Sequence, residues 1–323
     1  MKNTAITACI CTLDRLTGLT VAFQSLLHQN VDQSRVELLI VDNGSTTYDP
    51  NEASRTLLRD AANAGFSARY IIESDMGLSK ARNRALRETT SDWIAFVDDD
   101  EIMSPDYLQS LLEVIDREPD ESTLGCLGGP LKLVWPNDTI PAWFSSPLKG
   151  YFTGLDLGPE ERDLNPQKEL LFGGNLAVHR DTVNKIGGFN AKLSRHGHAS
   201  LLGMEDTLIQ FQIAELGMRI RYIPLATIDH ITLPERISQK WILARAFGQG
   251  RSEVRYKSIL YGHGRVRLAA SVFRSLYHRQ KKCRTGITKN DGAALTQDQA
   301  ALLKKIYKSQ FLGAIKGLLR DRW

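Results

Sequence analysis

Four consecutive acids, Asp98-Asp99-Asp100-Glu101, follow the apolar run Trp93-Ile94-Ala95-Phe96-Val97. Like charges at that spacing repel, and the end of a buried strand is a costly place to hold them. A hard divalent cation removes both difficulties. Mg2+ or Mn2+ takes oxygen ligands and keeps positions open for phosphate oxygens. The same run also suits a solvated turn leading into a helix, because Ser104-Pro105 reads as an N-cap followed by Pro at N1. A separate carboxylate, Asp42, ends another apolar run and can accept hydrogen bonds from a base N–H or a ribose hydroxyl, or cap its own turn. Gly77 permits close backbone approach where a helix begins, ahead of Lys80, Arg82 and Arg84.

The elements that must hold these residues follow from apolar patterning. Residues 4–11, 36–41, 68–72 and 93–97 read as strands, and 16–28, 50–64, 78–88 and 105–117 as helices. Strand–helix alternation predicts an α/β fold, a mostly parallel mixed sheet flanked by helices. Ligands of such sheets bind beyond the carboxyl ends of the strands. Here those ends are Thr12-Leu13-Asp14-Arg15, Asp42-Asn43-Gly44-Ser45, Ser74-Asp75-Met76-Gly77 and the acid run. Residues 128–172 are irregular and aromatic, with Trp135, Trp143, Phe144, Tyr151 and Phe152. Most of these are expected to cover the core, and one or two to meet substrate. Phe172-Gly173-Gly174-Asn175 enters a further strand, a helix spans 207–216, and residues 220–223 form another strand. From Trp241 the pattern is helical and basic.

Charge is divided along the chain. Residues 231–323 hold 20 Lys+Arg against 5 Asp+Glu, so an acidic body carries a basic tail. Cys9, Cys11, Cys126 and Cys283 form neither a zinc pattern nor a disulfide framework. No signal-like segment and no stretch of membrane-span length is visible, which predicts a reduced, cytoplasmic setting.

Six motifs in order resemble those of family 2 nucleotide-diphospho-sugar glycosyltransferases of the GT-A fold, whose bacterial members acting on cell-surface polysaccharides the tail from Trp241 (W-x3-R-x-F-x-Q-G-R-S) also resembles. The six motifs are Cys11-Thr12-Leu13-Asp14-Arg15, Val41-Asp42-Asn43-Gly44-Ser45, Gly77-Leu78-Ser79-Lys80-Ala81-Arg82-Asn83, the acid run, Gly173-Gly174-Asn175 and Glu205-Asp206. The resemblance implies a GT-A domain over 1–235 and a basic helical C-terminal extension over 236–323. It implies that Thr12, Arg15, Asp42, Asn43, Gly77, Arg82, Asn83, Asp98, Asp99 and Asp100 bind the donor, with Asp99 toward the ribose. Arg82 has a second reading, as a partner of the acid run. Asp14 stands where many relatives have Asn. The resemblance further implies a divalent metal (Mn2+ or Mg2+) on Asp100 and Asp98, with His230 as a further ligand, and leaves Glu101 to serve the next helix. Asp206 would be the catalytic base, Glu205 would orient it or hold the acceptor, and Gly173, Gly174 and Asn175 would form the acceptor wall. Arg245, Gln249 and Arg251 would approach the diphosphate from the tail. His196 and His198 receive no role.

The implied activity is inverting, metal-dependent transfer of a sugar to a hydroxyl of a saccharide or lipid-linked acceptor. Apolar positions 302, 303, 306, 307, 311, 315 and 318 fall at helical spacing among lysines. Together with residues 266–277 they raise peripheral contact with the cytoplasmic face of a membrane as an expectation, against docking on the chain's own domain. Nucleic acid is not expected as a partner. A sugar-nucleotide pyrophosphorylase would want a Gly-rich phosphate loop at 12–18, and a dehydrogenase a G-x-G-x-x-G after a strand; neither is present. A catalytically inactive carbohydrate-binding or scaffold protein is the remaining alternative, disfavoured by the intact Asp42, Asp98, Asp100 and Asp206.

Overall fold

A computed structural model describes residues 5–118, 123–194, 201–262, 274 and 295–320. The chain divides into two compact units. The first comprises Met1–Leu133, Leu155–Ala191 and Glu205–Ile231; the second comprises Val134–Gly154, Lys192–Met204 and Thr232–Trp323.

The first unit is built on strands β1 (Ile6–Thr12), β2 (Val36–Asp42), β3 (Ser67–Ile72), β4 (Trp93–Asp98), β6 (Leu124–Gly128), β8 (Arg162–Asp163), β9 (Leu176–His179) and β10 (Arg219–Tyr222). They form one sheet in the order β3-β2-β1-β4-β9-β6-β10-β8. The pairs β1–β2, β1–β4, β2–β3 and β6–β10 are parallel, whereas β9 runs antiparallel to β4 and β6. Nearly every side chain of β1, β2 and β4 is buried, which is why these strands read as continuous apolar runs rather than alternating ones. Register then does the positioning. Thr12 lies opposite Asp42, and Cys11 lies opposite Asp98, so three strands deliver their polar ends side by side.

Helices α1 (Leu16–Leu27), α2 (Pro50–Asn63), α3 (Leu78–Glu88) and α4 (Tyr107–Arg117) follow the strands as expected. One boundary differs. Between the acid run and α4 the chain forms a three-residue strand, β5 (Glu101–Met103). Ser104 is therefore not the N-cap; that position is Asp106. The Ser104 N–H donates to Thr227 O, and its carbonyl accepts from Tyr107 N–H. Strand β5 pairs antiparallel with β11 (Ile228–Ile231), which sets His230 opposite Glu101. With β7 (Leu131–Val134) these strands make a second, three-stranded sheet. Helices α5 (Arg180–Lys185) and α6 (Glu205–Glu215) complete this unit.

The second unit contains two long helices, α7 (Gln239–Tyr261) and α8 (Gln297–Arg320). Ser238 caps α7 by accepting from Trp241 N–H. The helices meet backbone to backbone. A Cβ on Gly250 would stand 1.9 Å from Gln310 O, and one on Gly313 would stand 1.9 Å from Phe247 O. Leu302, Leu303, Ile306, Gln310 and Ala314 are buried, whereas Phe311 is exposed, so the buried face of α8 is offset from the apolar face expected from sequence. Its buried apolar positions are covered by protein, which removes them as a membrane-facing surface. The second segment considered for that role, 266–277, lies outside the described residues except at 274, as do His196 and His198. Among the described residues no helix is long and apolar enough to cross a membrane. Trp135, Trp143, Phe144, Phe152 and Trp241 pack ring against ring at 4.8–6.2 Å, and of these Trp135 and Phe152 are buried.

Candidate active site

Sixteen of the site residues expected from the sequence lie in the first unit, at or near the carboxyl ends of its strands, whereas Arg245, Gln249 and Arg251 belong to α7 of the second unit. At the β2 end Asp42 is fully buried and heavily engaged. Its Oδ1 accepts from Ser45 N–H at 2.7 Å, and its Oδ2 accepts from the hydroxyls of Tyr48 and Tyr70 at 2.9 and 2.5 Å. Asn43 stitches the neighbouring loop. Its amide donates to Glu73 O and Asp75 O, and its Oδ1 accepts from Gly77 N–H at 2.6 Å. Gly77 has φ 137°, a backbone angle that only glycine adopts readily. Asn83 on α3 clamps Phe189 through both its N–H and its carbonyl. Tyr48 and Tyr70 are the partners that sequence reasoning missed. Each is an ordinary apolar-pattern aromatic until the fold brings it to Asp42.

The acid run is not solvated. Asp99, Asp100 and Glu101 are buried, and Asp98 is the most open of the four. Two arginines supply the compensating charge. Arg15 Nη1 lies 2.5 Å from Asp99 Oδ1 and 3.3 Å from Asp100 Oδ2. Arg82, 2% exposed, reaches Asp98 at 3.5 Å, Glu205 at 3.2 Å and Gly173 O at 3.0 Å. Thr12 Oγ1 donates to Asp99 Oδ2 at 2.7 Å. Gly18 on α1 admits the run: a Cβ there would meet Asp99 O at 2.3 Å. The expectation that Glu101 serves the next helix is corrected. It opens β5, accepts from Asp98 N–H at 2.7 Å, and faces His230 Nδ1 at 3.6 Å. His230 Nδ1 is also 3.6 Å from Asp100 Oδ1.

The glycine pair is required by the same cluster. A Cβ on Gly173 would stand 2.7 Å from the Arg82 guanidinium, and one on Gly174 would stand 1.9 Å from Glu101 Oε1. Asn175 is fully buried and its amide donates to Pro130 O and Ala226 O, so its side chain braces the wall from behind. Asp206 sits in the first turn of α6, half-buried. Its Oδ2 accepts from Gly173 N–H at 2.9 Å and its Oδ1 from Thr207 N–H at 2.7 Å. A continuous path results: Asp98 to Arg82, Arg82 to Gly173 O, and Gly173 N–H to Asp206. The residue ahead of Glu205, Met204, holds φ 79°, an uncommon angle for a side-chain-bearing residue.

Among the described residues no three His, Cys, Asp or Glu side chains form a complete cage for a metal ion. Mg2+-like ions bind through one or two carboxylates and take further ligands from substrate phosphates and water. Asp100 and His230, both buried and facing each other, fit such a shared ion.

Burial pushes the Asp99 carboxyl up to about 7, against the pull of Arg15 and the Thr12 hydrogen bond. Burial and the neighbouring Asp98 push Glu101 up as well. Between the ordinary carboxylate range and about 7 the folded chain therefore holds protons that the unfolded chain has released. Stability from these groups is present at the low end of that window and is lost as pH rises through it. Thermal melts at pH 6, 7 and 8 are expected to show falling stability. Added Mn2+, which favours the ionised acids, is expected to restore more at pH 8 than at pH 6. A melting temperature that rises with pH across this range would contradict the assignment.

Residues 7–139 match the profile of Glycosyl transferase family 2. The chain is 22% identical over 265 residues to a glucosyl-dolichyl phosphate glucuronosyltransferase of Haloferax volcanii, covering 80% of this chain and 78% of that protein. It is 26% identical over 258 residues to the succinoglycan biosynthesis protein ExoM of Rhizobium meliloti, covering 76% and 73%. Its fold matches the mannosyltransferase PcManGT from Pyrobaculum calidifontis, solved in complex with GDP-Man and Mn2+, with a TM-score of 0.62 at 15% identity over 100% of this chain and 89% of that one. With the buried acid run at the end of a parallel strand, these likenesses show a family 2 glycosyltransferase region over residues 7–139 in a chain of the GT-A fold.

Proposed function

We propose that the chain is an inverting, metal-dependent transferase. It moves a sugar from a nucleotide-diphospho-sugar to a hydroxyl of a saccharide or lipid-linked acceptor in cell-surface polysaccharide or glycan synthesis. The observation that carries this reading is the path of contacts from Asp98 through Arg82 and Gly173 to Asp206, which ties a charge-compensated acid run to a carboxylate held by two backbone N–H groups. Support for the donor comes from PcManGT, whose complex contains GDP-Man and Mn2+. Support for the acceptor class comes from the two relatives, one named for a dolichyl phosphate substrate and one for succinoglycan.

In this reading Asp100 and His230, with Asp98, are the residues that would hold the ion. A divalent cation there would neutralise charge on the departing nucleoside diphosphate. The other steps belong to the chain. Asp42 fixes the β2 loop through Ser45, Tyr48 and Tyr70, and Asn43 fixes the Gly77 turn against it. Asp206 takes the proton of the acceptor hydroxyl. Oδ1 accepts from the N–H and the hydroxyl of Thr207, which aims the carboxylate, and Oδ2 accepts only from Gly173 N–H, which leaves its second lone pair for the acceptor. Glu205 keeps Arg82 in place, and Arg82 in turn fixes the peptide that orients the base. A cytoplasmic location accords with the free thiols Cys9, Cys11 and Cys126. Membrane contact is not part of the reading, because Leu302, Leu303 and Ile306, three of the apolar positions that suggested it, are buried in α8.

The test is calorimetric titration with UDP, GDP, CDP and dTDP, with and without Mn2+. One diphosphate is expected to bind, and to need the metal. No binding of any of them by folded protein would overturn the proposal in favour of the scaffold alternative.

A further inference from the structure

Arg15 was expected to touch the donor, yet in this structure it is committed to the acid run. Its guanidinium bridges Asp99 Oδ1 at 2.5 Å and Asp100 Oδ2 at 3.3 Å. Asp100 presents its other oxygen to His230 at 3.6 Å. The carboxylate suited to a metal thus already carries a fixed positive neighbour, and a guanidinium cannot shed its proton to make room. A divalent ion arriving alone at Asp100 meets that charge at short range, where repulsion is only partly screened. A nucleoside diphosphate reverses the situation. It brings several negative charges, and the planar fork of an arginine matches phosphate oxygens well.

We propose that Arg15 is a two-position counter-ion. It neutralises Asp99 and Asp100 when no metal is present, and turns to the diphosphate when a metal takes Asp100. The proposal rests on the donor-site reading above and adds a rule to it: metal and nucleotide reinforce each other's binding because one arginine cannot serve both carboxylate and phosphate. A purely structural pin is the competing role. The loop has other fastenings, however. Thr12 donates to Asp99 at 2.7 Å, and the α1 helix contacts the Asp99 backbone at Gly18. Removing the Arg15 charge leaves both in place.

The test uses the full chain as wild type, Arg15→Met and Arg15→Lys. Mn2+ affinity without nucleotide is read by electron paramagnetic resonance, and GDP or UDP affinity with saturating Mn2+ by calorimetry. Arg15→Met is expected to bind Mn2+ alone about tenfold more tightly, and the nucleotide at least about tenfold more weakly, with Arg15→Lys between the two. The opposite signs are the signature. A structural pin would weaken both affinities and lower the melting temperature. Unchanged or weaker Mn2+ binding by Arg15→Met therefore overturns the inference alone, whereas a wild-type protein that binds neither metal nor nucleotide overturns the donor reading with it.

Discussion

Asp206→Asn is expected to lower turnover by about 100- to 10,000-fold, the range spanned by loss of a positioned general base. Nucleotide binding in the presence of Mn2+ should stay within a few-fold of wild type, because Asp206 touches the acid run only through Gly173 and Arg82. The variant is nearly isosteric but not silent. Asn offers one acceptor oxygen where Asp offers two, so either Gly173 N–H or Thr207 N–H will face an amide nitrogen. Some local loosening should follow, on the order of 1–3 kcal/mol for a buried donor left without a partner. A melting curve and nucleotide titration on the same preparation separate that effect from loss of chemistry. Product formation at the wild-type rate would remove Asp206 as the base and direct attention to another acceptor-side group.

Arg82→Met should be the most damaging single change in stability. The guanidinium is buried, bonded to Glu205, Asp98 and Gly173 O, and stacked near the rings of Phe96 and Phe189 at 5.6 and 5.4 Å. Methionine replaces much of the stem but none of the charge. Glu205, itself buried, would be left as an uncompensated carboxylate, and breaking a buried pair from one side costs about 3–5 kcal/mol. Urea denaturation measures the loss. The double variant Arg82→Met with Glu205→Gln should recover part of it, since the stranded charge is then gone. If the double variant were no more stable than Arg82→Met, the penalty would come from lost packing rather than from Glu205.

Much of the first unit was legible in advance because its central strands are covered on both faces. Runs such as Val36-Glu37-Leu38-Leu39-Ile40-Val41 carry their own signature, and the polar residues just after them mark the ligand-binding edge. The region after the acid run was less legible. Strand β5 has three residues and begins with a glutamate, too short and too polar for periodicity to register, so Ser104-Pro105 passed for a cap. The burial of Glu101 and its pairing with His230 depend on a strand more than a hundred residues away in sequence. The same holds for Tyr48 and Tyr70 on Asp42, and for Arg15 across Asp99 and Asp100. Local patterning indicates where a side chain starts; only tertiary register determines what it meets. The offset face of α8 has a related cause. Glycines at 313 and 317 let the partner backbone approach that side of the helix, so burial follows the small residues as well as the large apolar ones.

The acid run is also the seam between two sheets. Asp98 closes β4 in the larger sheet, Glu101 opens β5 in the smaller one, and only Asp99 and Asp100 separate them. Side chains in β5 alternate, with Glu101 and Met103 inward and Ile102 between them. An insertion or deletion of one residue at the seam would invert that alternation. Ile102 would be driven toward the place where a carboxylate now meets His230, and Glu101 would be turned away from it. Four acids can be exchanged for other side chains and the backbone can survive; their number cannot change without turning the strand over. Register at this point thus constrains length more strictly than it constrains the identity of any one side chain.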